Sequence, residues 1–470
     1  MNTITPDPVD HHHSFHAVAE SFLQADGLPF SDVLSAESIE KVFRQRGAMF
    51  GQEDIFSTQI VLWAFLAQAL QDGKGASCAA AVEDIATYMH QTDQPAPCGD
   101  TGDYCRARAK LDLPALRGLT TDAARQLEAD ARDAWLWKSR HAKLVDGFTF
   151  TMPDTPANQE VFPQQTQQAP GVGFPIARAC TIQSLATAAV CDVAIGPYSG
   201  KETGETALLR GMLESFDQGD LVVFDRYYCS FMMIAILQQR GLDVCTRLHQ
   251  GRSCDFRRGR RLGACDHLIA WTRPERPEWM SRQAYAQIPE TMTLREIKFN
   301  VKVPGRRTET LTVVTTLTDP NAYSKDDIAD LYGFRWNVEL DIRDIKQTLG
   351  LDHVRCKTPE MVRRELWVTL LAYVLIRKVI ATSAAMHDKQ PRQLGFTLAC
   401  QSILASRMLL ATGSVRDPHG LWTAALARIA RNEVANRPGR IEPRVIKRRL
   451  HRYPLMQHRR RELREEMRKT

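Results

Sequence analysis

A buried strand followed directly by a helix constrains the fold of this chain more than any other feature. The run DLVVFD ends at Asp225 and is continuously apolar, as strands of parallel sheets are, and the segment SFMMIAILQQRG after it has helical spacing. A second strand, KLVDGFTFTM, carries Asp146 in an alternating β-rich run. These patterns predict an α/β protein. They place Asp225 at the carboxyl end of its strand, where open α/β sheets bind ligands.

One predicted helix carries a polar stripe. In the stretch SKDDIADLYGFRWNVELDIRDIKQTLG, the residues Tyr332, Arg335, Glu339 and Lys346 fall within roughly a 60° arc of an α-helix. Apolar residues at steps of three and four form a ridge beside the stripe, so one edge of the helix is predicted to be buried. The stripe is either a solvated face with ion pairs between residues four apart, or a functional row with an acid, two bases and a phenol.

The stripe and both strands resemble a known family. The spacing Y-x2-R-x3-E-x6-K is similar to the signature of bacterial insertion-sequence transposases of the insertion-sequence-four family. The stretches LVDGFTFTMPDTPANQEVFP and VVFDRYY resemble the blocks in which that family carries its first two catalytic aspartates. The resemblance runs at least from Lys143 to about Arg377. It implies a catalytic Asp-Asp-Glu triad at Asp146, Asp225 and Glu339.

The resemblance implies a ribonuclease H-like catalytic core, with Asp146 on the first strand, Asp225 on the fourth and Glu339 on a helix packed against the sheet. The three carboxylates would hold two Mg²⁺ or Mn²⁺ ions, because these ions prefer oxygen ligands and serve phosphodiester cleavage as a pair. Asp154 is the alternative first carboxylate, although its Pro-flanked position favours a turn. The other members of the stripe would bind DNA phosphate: Tyr332, Arg335 and Lys346.

The activity implied by the resemblance is DNA transposition. Such an enzyme cuts the ends of its insertion sequence and transfers the 3′ hydroxyls to target DNA. Its partners would be double-stranded DNA, as transposon ends and as target, and a second copy in a homodimeric synaptic complex. Two alternatives stay open: a metal-dependent nuclease or resolvase on the same fold, and a catalytically inactive repressor derived from a transposase.

Seven regions are predicted along the chain, with helical regions on both sides of the core. The region 31–140 either binds the element's end DNA or is a purely structural bundle. In chain order, the regions are a flexible leader (1–30), a helical domain (31–140), the first part of the core (141–250), an all-β insertion (251–320), the core helix with Glu339 (321–358), a C-terminal helical region (359–435) and a basic tail (436–470). Core strands are predicted near 144–151, 177–190, 191–195, 221–225 and 243–248.

The predicted insertion contains three strand-like runs, HLIAWT, MTLREIKFNVKV and ETLTVVTTLT. The last two are joined by a turn at Pro304 and Gly305. Trp271 and Trp279 also lie in this region. They are either core residues or, as the resemblance suggests, platforms for stacking against a base flipped from the transposon end.

Positive charge is concentrated near the C-terminus. The whole chain has a formal net charge of +6, whereas residues 428–470 alone carry 15 Lys or Arg and 5 Asp or Glu. Such a segment is either a footprint for a phosphate backbone or a solubilising tail. The predicted DNA contacts in the tail are Lys447, Arg448 and Arg449. A second basic cluster predicted to contact DNA comprises Arg252, Arg257, Arg258, Arg260 and Arg261.

Other motifs predict no cofactor besides the metal ions. The loop GPYSGKET is one residue short of a nucleotide-binding pattern, so no nucleotide cofactor is expected. The 11 cysteines include no CxxC pair and predict reduced thiols. No signal peptide is recognised, and apolar runs such as IVLWAFLAQAL fall short of the roughly 20 residues of a membrane span. We therefore expect a cytoplasmic protein, and the family resemblance implies a bacterial protein associated with the nucleoid. A group of Cys and His residues matches no zinc-finger spacing: Cys245, His249, Cys254, Cys265 and His267.

Overall fold

The computed structural model describes residues 36–51, 54–71, 73–91, 94–301, 309–411, 417–434 and 458–469. These residues form two compact units, each assembled from separate parts of the chain. The helical unit comprises the described residues of Met1–Ala131, Thr187–Val190 and Arg343–Val434. The sheet unit comprises the described residues of Arg132–Ala186, Cys191–Ile342 and Ala435–Thr470.

The strands and helices are numbered in chain order. The strands are β1 (Ala142–Thr151), β2 (Ile176–Ser184), β3 (Val190–Pro197), β4 (Leu221–Phe224), β5 (Asp243–Arg247), β6 (Arg260–Gly263), β7 (Asp266–Thr272), β8 (Thr291–Val301) and β9 (Glu309–Thr315). The α-helices are α1 (Ala36–Arg44), α2 (Thr58–Ala69), α3 (Cys78–Gln91), α4 (Gly102–Ala109), α5 (Leu113–Ala129), α6 (Pro156–Val161), α7 (Glu205–Arg210), α8 (Phe231–Gln239), α9 (Arg282–Gln287), α10 (Lys325–Gly333), α11 (Trp336–Arg343), α12 (Pro359–Met386), α13 (Phe396–Ala411), α14 (Pro418–Arg431) and α15 (Arg460–Lys469).

A single nine-stranded sheet organises the sheet unit, in the order β3-β2-β1-β4-β5-β9-β8-β7-β6. Strand β1 is antiparallel to β2 and parallel to β4, and β4 is parallel to β5. The strand order β3-β2-β1-β4-β5 with these directions is that of a ribonuclease H-like core. The α/β fold predicted from the sequence is therefore confirmed.

The core packs around the short strand β4. All four residues of β4 are buried, as its continuous apolar run predicts for an interior parallel strand. The helix after it, α8, begins at Phe231 and is capped by Ser230, whose Oγ accepts the backbone N–H of Met233. Val222 and Phe224 of β4 share one apolar cluster with Met232 of α8. This packing fixes the end of the strand and therefore the position of Asp225, the residue that follows it.

The predicted strand over 177–190 is shorter in the structure. Strand β2 ends at Ser184 and β3 begins at Val190. Between them, Ala188 has a φ of 63°, in the left-handed region that strands do not use. The periodicity of the sequence does not show this turn, because Leu185 and Ala189 on either side of it are as buried as strand residues.

The insertion continues the sheet of the core. Strand β9 pairs antiparallel with β5, and the described residues add β8, β7 and β6 beyond it. The three strand-like runs predicted from the sequence are present as β7, β8 and β9. The region is β-rich but not all-β, because helix α9 lies between β7 and β8. The predicted turn at Pro304 and Gly305 lies outside the described residues.

Helix α12 is the longest helix of the described residues and the centre of the helical unit. It contains the apolar run LWVTLLAYVLI, and it packs against α2, α5, α13 and α14. At 28 residues, with a mean hydropathy of 1.6 over an 18-residue window, it is long and apolar enough to cross a membrane. This length corrects the expectation that no apolar segment reaches spanning length. Because 89% of the window is buried inside the protein, the helix has the environment of a core helix.

The segment predicted as one helix is divided into three. Helix α10 begins with a capping box in which the side chains of Ser324 and Asp327 each accept the other residue's backbone N–H, and it ends at Gly333 with Phe334 as its C-cap. Helix α11 starts two residues later, and a π-helical turn covers Asp344–Thr348. The polar stripe therefore does not follow a single straight helix. Its last member, Lys346, belongs to the helical unit.

Candidate active site

Asp146 lies where β1 extends past its parallel neighbour. The last pair of the β1–β4 ladder joins Val145 to Phe224. Asp146 and Asp225 are the next residues of the two strands, so their backbones reach the same end of the sheet. The Oδ1 atom of Asp146 accepts the backbone N–H of Gly147 at 2.8 Å. The first two acids of the predicted triad are thus delivered by adjacent strands.

Asp225 is held in place by hydrogen bonds on both of its polar groups. Its Oδ1 atom accepts the backbone N–H of Tyr227 at 2.6 Å, which makes a tight turn after β4. Its backbone carbonyl accepts the hydroxyl of Thr246 on β5 at 3.0 Å. The turn keeps the carboxylate at the carboxyl end of the strand, as the sequence predicts.

Arg335 connects Glu339 to the sheet. Its Nη2 atom lies 2.9 Å from Oε1 of Glu339, and its Nη1 atom lies 3.5 Å from Oδ2 of Asp146. The guanidinium is 13% exposed, so both ion pairs are partly shielded from water. The first and third acids of the predicted triad therefore meet on one cation. The ion pair between Arg335 and Glu339 joins residues four apart, as expected of a solvated stripe. Arg335 also pairs with Asp146 of the sheet, however, which a solvated stripe does not predict.

The electrostatics of Asp146 set it apart from an ordinary surface acid. The pKa of Asp146 is raised from 3.8 to about 6, mainly by burial and to a smaller extent by the negative charges of Asp225 and Glu205. The N–H of Gly147 and the charge of Arg335 act in the opposite direction. Perturbed acids are concentrated at functional sites, because those sites place charges where solvation is poor.

Glu205 is a fourth acid of this site that sequence reasoning misses. It is the first residue of α7, and it accepts the hydroxyl of Tyr228 at 3.1 Å. Burial raises the pKa of Glu205, with the charge of Asp225 acting in the same direction. A Cβ atom at Gly147 would lie 2.1 Å from Cδ of Glu205, so the glycine after Asp146 makes room for this side chain. The second tyrosine of VVFDRYY is the only hint in the sequence.

Tyr332 lies beside the same group of charges but is mostly buried. Tyr332 is only 7% exposed. Burial raises the pKa of Tyr332 well above its usual range, while the charge of Arg335 lowers it. The phenol is therefore protonated at neutral pH, so its hydroxyl can donate one hydrogen bond and accept another within this site.

Lys346 makes its ion pair in the helical unit. Its Nζ atom lies 2.7 Å from Oδ1 of Asp352, and both residues belong to that unit. The predicted stripe is thus shared between the two units.

Asp154, the alternative first acid, is exposed and accepts a hydrogen bond from the side-chain amide of Gln159 at 2.8 Å. It stands in the turn before α6, as its Pro-flanked position predicts.

The two tryptophans of the insertion differ in exposure. Trp271 is 5% exposed, its indole N–H donates to Oε1 of Glu296 at 2.9 Å, and the guanidinium of Arg252 covers its ring at 3.8 Å. Trp279 is 37% exposed, with the guanidinium of Arg210 4.0 Å from the centre of its ring. Trp271 is therefore a core residue here, and base stacking is kept as a hypothesis for Trp279 alone.

The basic cluster of the insertion is exposed. Side chains of Arg257 and Arg258 are 90% and 79% exposed, and both pair with Asp255. Hydrogen bonds from Arg257 lower the pKa of Asp255 to about 2. Arg260 and Arg261 follow on β6, and both are exposed. The predicted contacts at Lys447, Arg448 and Arg449 lie outside the described residues.

The triad acids are more widely spaced than a preformed metal site. Among the described residues, the one group of at least three Cys, His, Asp or Glu whose ligand atoms all lie within 4.8 Å of one another is Cys254, His267 and Glu296. The triad instead has the guanidinium of Arg335 between two of its carboxylates. Positive charge is thus already favoured in the space that they share.

Comparisons with known proteins find similarity to transposases. A family model described as the transposase DDE domain matches residues 137–375, which include all three acids. The transposase InsG of insertion sequence element IS4 from Escherichia coli K12 is 26% identical over 433 residues, or 90% of this chain and 92% of InsG. The transposase of element IS421 from Escherichia coli is 36% identical over 83 residues, which are 18% of this chain and 21% of that protein.

Among solved structures, the chain is similar to a piggyBac transposase synaptic complex with hairpin DNA. The similarity has a TM-score of 0.42 and 10% sequence identity, and it covers 89% of this chain and 86% of that chain. The family model alone spans just over half of the chain. The chain therefore belongs to the family of transposases with a DDE domain, and within it to the insertion-sequence-four type.

Proposed function

We propose that this protein cuts the ends of its own insertion sequence and transfers the 3′ hydroxyls to target DNA, with Asp146, Asp225 and Glu339 as the catalytic triad. The observation that carries the proposal is the ion pairing of Arg335 with both Asp146 and Glu339, beside the strand end that carries Asp225. Acids at the carboxyl ends of neighbouring parallel strands occupy the part of the fold where ligands bind.

The donor set fits a divalent cation that prefers oxygen. Asp146, Asp225 and Glu339 offer carboxylate oxygens, which Mg²⁺ and Mn²⁺ bind well. Two observations favour positive charge at this place: burial, with the negative charges of Asp225 and Glu205, raises the pKa of Asp146, and Arg335 pairs with two of the acids. When bound, a pair of such ions would activate the attacking oxygen and stabilise the leaving oxygen.

Arg335 has a different partner before and after DNA binds in this proposal. In the free protein, it forms ion pairs with Asp146 and Glu339. With DNA bound, its fork of N–H groups would contact two phosphate oxygens, Lys346 would supply a point charge, and the protonated hydroxyl of Tyr332 would donate to the backbone. Release of Arg335 from the acids would then leave their oxygens free for the metal ions.

The DNA partners are the two transposon ends and the target duplex. The exposed arginines of the insertion would contact phosphate, and the ring of Trp279 would stack on a base flipped from the end. Holding two ends at once would require a homodimer. A bacterial cytoplasmic protein associated with the nucleoid fits this activity.

The test uses the full-length protein with Mg²⁺ and a DNA fragment that carries the sequences flanking its coding region. Glu339→Gln should bind the end DNA and lose cleavage, because a neutral amide is a much weaker metal ligand; Asp146→Asn and Asp225→Asn should behave alike. Asp154→Asn is the matched control and should cleave as the wild type does. Products joined to a second DNA distinguish a transposase from a nuclease. Cleavage by Glu339→Gln at near wild-type rate would overturn the triad assignment.

A further inference from the structure

A second group of ligand atoms lies in the insertion, away from the triad. Cys254 comes from the loop before β6, His267 from β7 and Glu296 from β8, where His267 and Glu296 are paired in register. The Nε2 atom of His267 is 3.8 Å from Sγ of Cys254 and 3.1 Å from Oε2 of Glu296. All three ligand atoms lie within 4.8 Å of one another. From this geometry, we infer a zinc site formed by Cys254, His267 and Glu296.

Hydrogen bonding at His267 favours a cation between the three residues. The Nδ1 atom of His267 lies 2.7 Å from the backbone carbonyl oxygen of Arg258, which only accepts, so Nδ1 carries the hydrogen. In a neutral imidazole, Nε2 then presents a lone pair to the carboxylate of Glu296, and two acceptors face each other. Either a proton or a metal ion must lie between them. A carbonyl on the far nitrogen is the arrangement that orients histidine ligands of metals.

The surroundings are those of a built site. His267 is 1% exposed and Glu296 is 4% exposed. The indole N–H of Trp271 donates to Oε1 of Glu296, which leaves Oε2 for the site. The ring of Phe256 packs 4.7 Å from the ring of His267. His267 and Glu296 are therefore oriented by their neighbours and shielded from water, whereas Cys254 is half-buried.

The ligand types and spacings select zinc. Thiolate, imidazole and carboxylate are the ligands that Zn²⁺ accepts together. Tetrahedral bonds of standard length place N and O ligands roughly 3.3 Å apart and S and N ligands roughly 3.6 Å apart. The observed separations of 3.1 Å and 3.8 Å differ from these by a few tenths of an ångström. Three protein ligands leave one position for water.

The site would also fix the basic cluster of the insertion. Cys254 and the backbone carbonyl of Arg258 both contact His267, and the segment between them carries two arginines of the cluster, Arg257 and Arg258. Arg252 rests on Trp271, which bonds to the same Glu296. Zinc would thus order a loop that contacts DNA. This last consequence, unlike metal binding itself, rests on the proposed function.

Metal binding can be measured without DNA. Zn²⁺ content of the full-length protein, stripped and reloaded with Zn²⁺ alone, should be one equivalent per chain in the wild type and in Cys265→Ser, an exposed cysteine of the same hairpin. It should be lost in Cys254→Ser. Co²⁺ in place of Zn²⁺ should give a thiolate charge-transfer band that follows the same pattern. Cys254→Ser leaves Asp146, Asp225 and Glu339 intact, so a wrong triad assignment does not affect the difference in zinc content between this variant and the wild type.

A measurement on the wild type alone covers the case in which a variant misfolds. Zn²⁺ should protect Cys254 from alkylation at least tenfold, read by mass spectrometry of its peptide, while Cys265 stays reactive. If Zn²⁺ neither binds nor protects Cys254, the contact between His267 and Glu296 is an imidazolium–carboxylate ion pair only, and the inference is wrong. Equal zinc content in Cys254→Ser and the wild type would also overturn it.

Discussion

Replacing Asp146 by Asn should stabilise the free protein while abolishing cleavage. Because burial raises the pKa of Asp146 from 3.8 to about 6, the folded state holds a proton that the unfolded state has already released. Stability contributed by this group therefore falls as pH rises from about 4 to about 6. The full difference corresponds to about 3 kcal/mol at pH 7 and to about 1.5 kcal/mol at pH 5. The pKa already includes the favourable charge of Arg335.

The asparagine has no charge to desolvate, so Asp146→Asn should gain up to about 3 kcal/mol over the wild type at pH 7 and about half as much at pH 5. Urea midpoints at both pH values measure the gain, and Asp154→Asn, whose carboxylate is exposed, is the matched control. Mg²⁺ should stabilise the wild type more than the variant. A variant no more stable than the wild type at pH 7, or a gain that does not shrink at pH 5, would refute the reasoning.

Two further predictions concern DNA. Arg335→Ala should raise the pKa of Asp146 further, because the charge of Arg335 lowers it, so the pH optimum of nicking should move upward. On a gel that separates nicked, hairpin and excised products, second-strand cleavage should fall more than nicking. The control Arg343→Ala, on the exposed face of α11, should change neither the pH optimum nor the products. Removing residues 437–470 should weaken duplex binding and reduce its salt dependence by about 0.9 in the slope of log K against log salt for each lost phosphate contact. Titrations at several salt concentrations test this, and an unchanged slope would mean that the tail only aids solubility.

Local sequence patterns predict the central strands β1 and β4 and the positions of Asp146 and Asp225 on them. β1 and β4 read as buried strands from their own residues, and parallel neighbours deliver the residues after Val145 and Phe224 to one end of the sheet. Glu339 follows from the family resemblance of its spacing. The interruption after Phe334 does not, because the apolar ridge continues through it with helical periodicity.

Other parts of the sites depend on long-range contacts. Glu205 has no motif of its own and reaches the triad because Gly147 leaves space for it. The proposed zinc ligands come from a loop and two strands, and Glu296 stands 29 residues after His267, so no spacing rule joins them. Pairing of β9 with β5 likewise depends on the fold of everything between them.

The order in which the chain is synthesised has a consequence for when the proposed active site can form. Arg335, which joins Asp146 to Glu339, is 189 residues further along the chain than Asp146. At ordinary rates of synthesis, roughly 10 to 40 seconds pass between the emergence of these two residues. A ribosome-bound or prematurely terminated fragment holds the aspartates without their third partner. Fragments that end before Glu339 should be unable to cut DNA, and activity should require a chain that extends past this residue.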